Sequence, residues 1–127
     1  PARGQNFINT HYGKINSIEI TNVVSEGIMF NNFKILENFV FEHKKEDVII
    51  IFCSVLQLAE LKDVKRRDFI NFFGNYEIHF SLELISGKGN HFLNKIFEEI
   101  SFFAKHSKIN NNFKNYTEFY NSNKDIF

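Results

Sequence analysis

Residues 76–100 read YEIHFSLELISGKGNHFLNKIFEEI, and the fold class turns on them. The first ten residues alternate. Tyr76, Ile78, Phe80, Leu82 and Leu84 share one side, and Glu77, His79, Ser81 and Glu83 share the other. A period of two is the pattern of a strand with one face on a core and one in water. After Ser86-Gly87-Lys88-Gly89 the period changes. Phe92, Leu93, Ile96, Phe97, Ile100, Phe103 and Ala104 recur at helical spacing, which predicts an amphipathic helix over 91–106. Asn94, Lys95, Glu98, Glu99 and Lys105 cover its outer side.

The glycine turn between them can be tested as a phosphate cradle. A P-loop requires G-x-x-x-x-G-K-[ST], so that several amides converge on one anion. Here Lys88 sits between two glycines with no Ser or Thr after it. A dinucleotide loop requires G-x-G-x-x-G, and Phe92 stands where the third glycine belongs. The turn reverses the chain, with Asn90 as the helix cap. No cofactor is implied.

Upstream, VIIIFCSVLQL at 48–58 is apolar almost throughout and rich in β-branched residues. It reads as a strand covered on both faces, in the middle of the sheet. AELKDVKRRDFINFFGN follows and reads as a helix that stops at Gly74, with Asp63 or Asp68 as its N-cap. Further back, INSIEITNVV at 15–24 reads as a strand through Ile18, Ile20 and the two valines. The runs GIMF and FKILENFVFE flank Asn31-Asn32, an arrangement that suggests a tight hairpin. In its second arm Phe33, Ile35, Phe39 and Phe41 share one face. HKKED at 43–47 is a charged, solvated turn. The expected fold is α+β: an antiparallel β-meander with two to three helices packed mainly on one face. Ile50, Phe52, Phe80, Leu82, Ile96, Phe97 and Ile100 are the expected core.

The 127 residues form one domain. The opening PARGQNF lacks Met, so residues 1–12 read as a flexible or added start. Residues 109–127 are a polar, Asn-rich tail with a short docked helix. Apolar residues make up 43% and there are 17 Phe, ample to offset the entropy of ordering. Fifteen basic and fifteen acidic side chains cancel, so the basic excess typical of nucleic-acid binders is missing. A lone cysteine, Cys53, excludes an internal disulfide and reads as a small buried side chain. No apolar run reaches the roughly 18 residues of a membrane span. With no signal peptide, the chain is expected in the cytoplasm.

Three groups of residues carry candidate chemistry. Glu77, His79 and Glu83 project side by side on the polar strand face, a neighbourhood suited to general base catalysis or, with more ligands, a metal. The simpler reading is a solvated strand face. Lys62, Lys65, Arg66 and Arg67 form the single basic cluster, diluted by Asp63 and Asp68. Such a cluster can dock an acidic protein surface or RNA phosphates. In the tail, Tyr116, Phe119 and Tyr120 could form an aromatic interface. With no convergent catalytic set, metal spacing or cofactor loop, the favoured function is a non-catalytic protein-binding domain. An inhibitor or immunity-type protein that neutralises a toxin or enzyme is the class in view. The partner surface would be Lys65, Arg66, Arg67, Tyr116, Phe119 and Tyr120. The alternatives are a small hydrolase or nuclease built on His79 with Glu77 or Glu83, and an RNA-binding module built on the Lys62–Arg67 cluster.

Overall fold

The computed structural model describes residues 2–24, 33–59 and 61–105. In chain order they form α1 (Ala2–Ile15), α2 (Lys34–Glu42), β1 (Ile49–Phe52), a short 3₁₀ helix (Val55–Leu58), α3 (Val64–Phe73), β2 (Glu77–Phe80), β3 (Ile85–Gly87) and α4 (Asn90–Lys105). The fold is α+β, but the sheet is mixed. β2 lies in the middle, parallel to β1 and antiparallel to β3. The expected antiparallel meander is therefore corrected. A parallel neighbour needs a long crossover, and the 3₁₀ helix and α3 supply it between β1 and β2.

β1 is at one end of the strand order, not in the middle as its apolar run suggests. Only Ile49–Phe52 of that run is strand, and Ile49 remains 45% exposed. The rest turns into the 3₁₀ helix, where Val55 and Leu58 are fully buried from a helical backbone. Burial on all sides without alternation is common to both geometries, so periodicity alone does not separate them.

The register pairs Ile50 with Ile78 and Phe52 with Phe80, which sets the even-numbered side chains of both strands on one face. Phe33, α3 and α4 close over that face. Phe52 stacks on Phe80 with centroids 5.7 Å apart, Phe33 meets Phe52 and Phe69 edge-on at 5.5 and 5.4 Å, and Phe69 meets Phe97 at 5.8 Å. Leu93, Ile96, Phe97 and Ile100 of α4 complete one contiguous core with Val40, Ile70 and Phe73. Of the expected core only Leu82 falls short, at half-buried. Aromatic pairs of this geometry add about 0.5–1.5 kcal/mol each beyond their burial.

Three further expectations change. FKILENFVFE is helix α2 rather than a hairpin arm. Its buried positions are Phe33 and Val40 with Leu36 half-buried between them, a helical spacing, while Ile35 and Phe41 are exposed. The Asn31-Asn32 turn and GIMF lie outside the described residues. Residues 18–24 form no strand. α1 closes instead with the Ile18 amide donating to the Gly13 carbonyl at 2.7 Å across Ser17, whose φ is +59°, a Schellman-type end. Residues 2–12, read as a flexible or added start, belong to α1.

α3 starts after Asp63, which occupies the N-cap position but makes no capping side-chain bond. It stops at Gly74, whose φ of −62° is ordinary. Glycine is needed there for space: a Cβ would stand 2.1 Å from Asn90 Oδ1 and 2.6 Å from the Ile70 carbonyl. At the start of α4 the Leu93 amide bonds the Gly89 carbonyl at 3.2 Å, so Gly89, at φ +105°, takes the cap position expected of Asn90. The glycine turn thus joins β3 to α4.

Candidate functional site

The stretch YEIHFSLELI is not one strand. It ends at Phe80, turns through Ser81–Leu84 and returns as β3, with Phe80 opposite Ile85. His79 and Ser81, expected on a solvated face, are covered, while Glu77 at the start of β2 stays exposed. His79 is 8% exposed and Ser81 4% exposed, because α1 lies across them. The Tyr12 hydroxyl is 2.7 Å from His79 Nδ1, and the Ser81 hydroxyl donates to Asn9 Oδ1 at 2.6 Å. On the other side of the ring, His79 Nε2 is 2.7 Å from Glu77 Oε2. Nε2–H donates to the Glu77 carboxylate, and the phenol pairs with Nδ1 either by donating to the bare nitrogen or by accepting from its N–H.

A Tyr-His-Glu chain has the composition of a nucleophile with its base and orienting acid. Its environment points the other way. The Tyr12 hydroxyl is pushed above the ordinary tyrosine range, first by burial and then by the charge of Glu77. It holds its proton more firmly, the opposite of an activated nucleophile. Both imidazole nitrogens are engaged within the chain. Among the described residues, every buried side-chain polar atom has a hydrogen-bond partner. The arrangement is a satisfied polar seam between α1 and the sheet.

Glu83, the second carboxylate expected beside His79, goes elsewhere. It accepts the Ser54 hydroxyl at 2.7 Å and the Val55 amide at 3.0 Å, across the start of the 3₁₀ helix. Burial raises its carboxyl above the usual carboxylate range, and those two hydrogen bonds pull it part of the way back. Ser54 and Gln57 meanwhile close a capping box on the same helix. The turn is held from its other end by the Ser81 and Leu82 amides, which donate to the Phe52 and Cys53 carbonyls at 2.9 and 2.8 Å. Cys53 itself is buried as expected, and its thiol is pushed up to about 12, first by burial and then by the charge of Glu83. It is no nucleophile.

That clamped turn presents a residue that the alternation placed on the apolar side of the strand. Leu84 has φ +59° and is 76% exposed, the highest exposure among the described large hydrophobic residues. A bulky residue in the left-handed region is a marked outlier. Period-two alternation hides it, since Leu84 continues the apolar phase of β2 beyond the strand's end.

The basic cluster does not form one patch. Arg66 folds back onto its own domain: Nε donates to the Leu61 carbonyl at 2.7 Å, and the guanidinium lies 5.2 Å from the Phe97 ring centroid. Lys62, Lys65 and Arg67 are exposed. Lys65 and Arg67 sit about 200° apart around α3, given about 100° per residue. Tyr116, Phe119 and Tyr120 lie outside the described residues. Among the described residues no group of His, Cys, Asp and Glu could hold a metal ion, and no helix is long and apolar enough to cross a membrane.

Comparison with protein-family models, curated proteins and solved structures finds no match to this chain.

Proposed function

We propose that this chain is a small, non-catalytic protein-binding domain that covers a partner's surface from the cytoplasm, in the manner of an inhibitor or immunity-type protein. The supporting observation is Leu84. An apolar side chain in a strained backbone conformation persists only where the surroundings hold it. Here Glu83, Ser81 and Leu82 hold it through four hydrogen bonds to residues 52–55. An anchor fixed before contact loses little freedom on binding, so more of its burial appears as affinity. Exposed Lys65 and Arg67 then steer an acidic partner without holding it. The tail aromatics Tyr116, Phe119 and Tyr120 belong to the same proposal as further contacts. The hydrolase reading has less support, because His79, Glu77 and Tyr12 are committed to one another. The RNA reading loses Arg66 to the Leu61 carbonyl and Phe97.

A photoreactive residue at position 84 tests the reading. It should capture one partner from lysate of the source cells, and the same residue at exposed Lys95 should not. Once the partner is identified, Leu84→Asn should weaken its affinity by about thirtyfold, as expected for an anchor worth about 2 kcal/mol. Capture through position 95 alone would refute the assignment. So would ester or phosphodiester turnover that disappears in a folded His79→Gln variant.

A further inference from the structure

β1 is an edge strand with one side of its ladder unused. Backbone N–H and C=O groups of successive strand residues point to opposite sides. The Phe52 carbonyl accepts the Ser81 amide at 2.9 Å, so Phe52, and with it Ile50, face β2. Ile49 and Ile51 therefore turn their amides and carbonyls outward, where no described residue bonds them. Their side chains lie on the sheet face away from the contiguous core, with Ile49 exposed and Ile51 half-buried.

Native edges are guarded by a charge, a proline or a bulge. Here the register with β2 runs without a bulge, and residues 48–54, VIIIFCS, carry no charge and no proline. The free donors and acceptors specify the backbone of an occupant, since another extended strand repeats them at this spacing. The outward residues specify its register. In an antiparallel pair, outward residues exchange both of their bonds with one another. With a second copy of the chain, Ile49 stands opposite Ile51 of the other copy and Ile51 opposite its Ile49, with Ile50 on the two-fold axis. Two such pairs with two bonds each give four backbone bonds. The exposed Ile49 then packs beside Ile51 of the other copy.

Charge favours the same arrangement. Asp47 falls opposite Cys53 of the other copy, so the acidic pairs Glu46-Asp47 lie at opposite ends, whereas parallel copies would set them against each other. Fifteen acidic and fifteen basic side chains cancel, so no net repulsion opposes the approach. A two-fold contact of this kind closes on itself, giving a dimer and not a fibre.

We propose that β1 is a self-pairing edge: two copies of the chain join antiparallel through Ile49 and Ile51 into one sheet, ordered β3-β2-β1-β1-β2-β3.

Sedimentation velocity on the full chain should show a weak dimer that half-dissociates between about 10 µM and about 1 mM, because so short an edge buries less than the roughly 1,200 Å² of a standard interface. Over the same range, hydrogen exchange followed by NMR should show the Ile49 and Ile51 amides gaining protection with concentration, while those of β2 keep theirs. Ile49→Lys sets a guarding charge at an exposed position and should weaken the dimer at least about tenfold. Leu84→Asn, in the turn between β2 and β3, should leave it unchanged. Should Ile49→Lys fail to fold, Ile51→Pro removes the outward N–H and should weaken the dimer in its place. A wild type that stays monomeric at about 1 mM would overturn the proposal and leave the edge to a strand of another protein. A dimer that survives these edge substitutions, or that dissolves in Leu84→Asn, would overturn it equally.

Discussion

Replacing Glu83 separates the clamp on the Leu84 turn from everything else in the fold. In Glu83→Ala the Val55 amide loses its acceptor at a residue with no exposure, and the Ser54 hydroxyl loses the oxygen it donates to. An orphaned buried donor costs about 1–3 kcal/mol. The Ser54 hydroxyl can turn and still accepts the Leu56 amide, so its share is the smaller. The expected loss is about 2–4 kcal/mol in urea-induced unfolding, built on that same penalty. Glu83→Gln keeps an acceptor and buries no charge, and should cost less than about 1 kcal/mol. The pH dependence has a definite sign. Because the folded state raises the Glu83 carboxyl, folding favours its protonated form. The wild type therefore gains relative to Glu83→Gln as pH falls through the folded value, and carries a penalty above it. Equal losses in the two variants, below about 0.5 kcal/mol, would show that the turn is not clamped this way.

Three other substitutions probe separate parts of the structure. Phe97→Ala removes a ring packed on Phe69 and beneath Arg66, and should destabilise by about 3–5 kcal/mol in chemical denaturation. Arg66→Ala should cost about 1–2 kcal/mol, from a hydrogen bond and a ring contact, whereas Arg67→Ala should stay within about 0.5 kcal/mol. Equal effects would mean that Arg66 is as solvated as its neighbour. Leu84→Asn should raise stability by up to about 1 kcal/mol by relieving the left-handed backbone, and a lowered melting temperature would contradict the strain assigned to it.

Helix α4 and most of its buried stripe were legible in the sequence, because Leu93, Ile96, Phe97 and Ile100 keep helical phase over a long segment. α3 was legible through its charges, its lack of alternation and its stop at Gly74. α2 was not. Its Phe-rich run satisfies a period of two at Phe33, Ile35, Phe39 and Phe41 as well as the helical spacing of Phe33, Leu36 and Val40, and only tertiary burial decides between them. α1 left a weak apolar signature, with Ile8 and Tyr12 as its buried large apolar residues. The candidate site was half legible for that reason. Alternation brought His79 and Glu77 to one face, but Tyr12 lies 67 residues away on another element. A polar strand face reads as solvated until the element that covers it is known.

The exchange of the His79 ring protons tests most directly whether the Tyr12-His79-Glu77 chain is a closed seam and not an active base. A long-range proton–nitrogen spectrum of the imidazole near neutral pH distinguishes the cases. The structure predicts an Nε2 proton held on Glu77 and sheltered from exchange beneath α1. Averaged ring nitrogens and a freely exchanging Nε2 proton would contradict it.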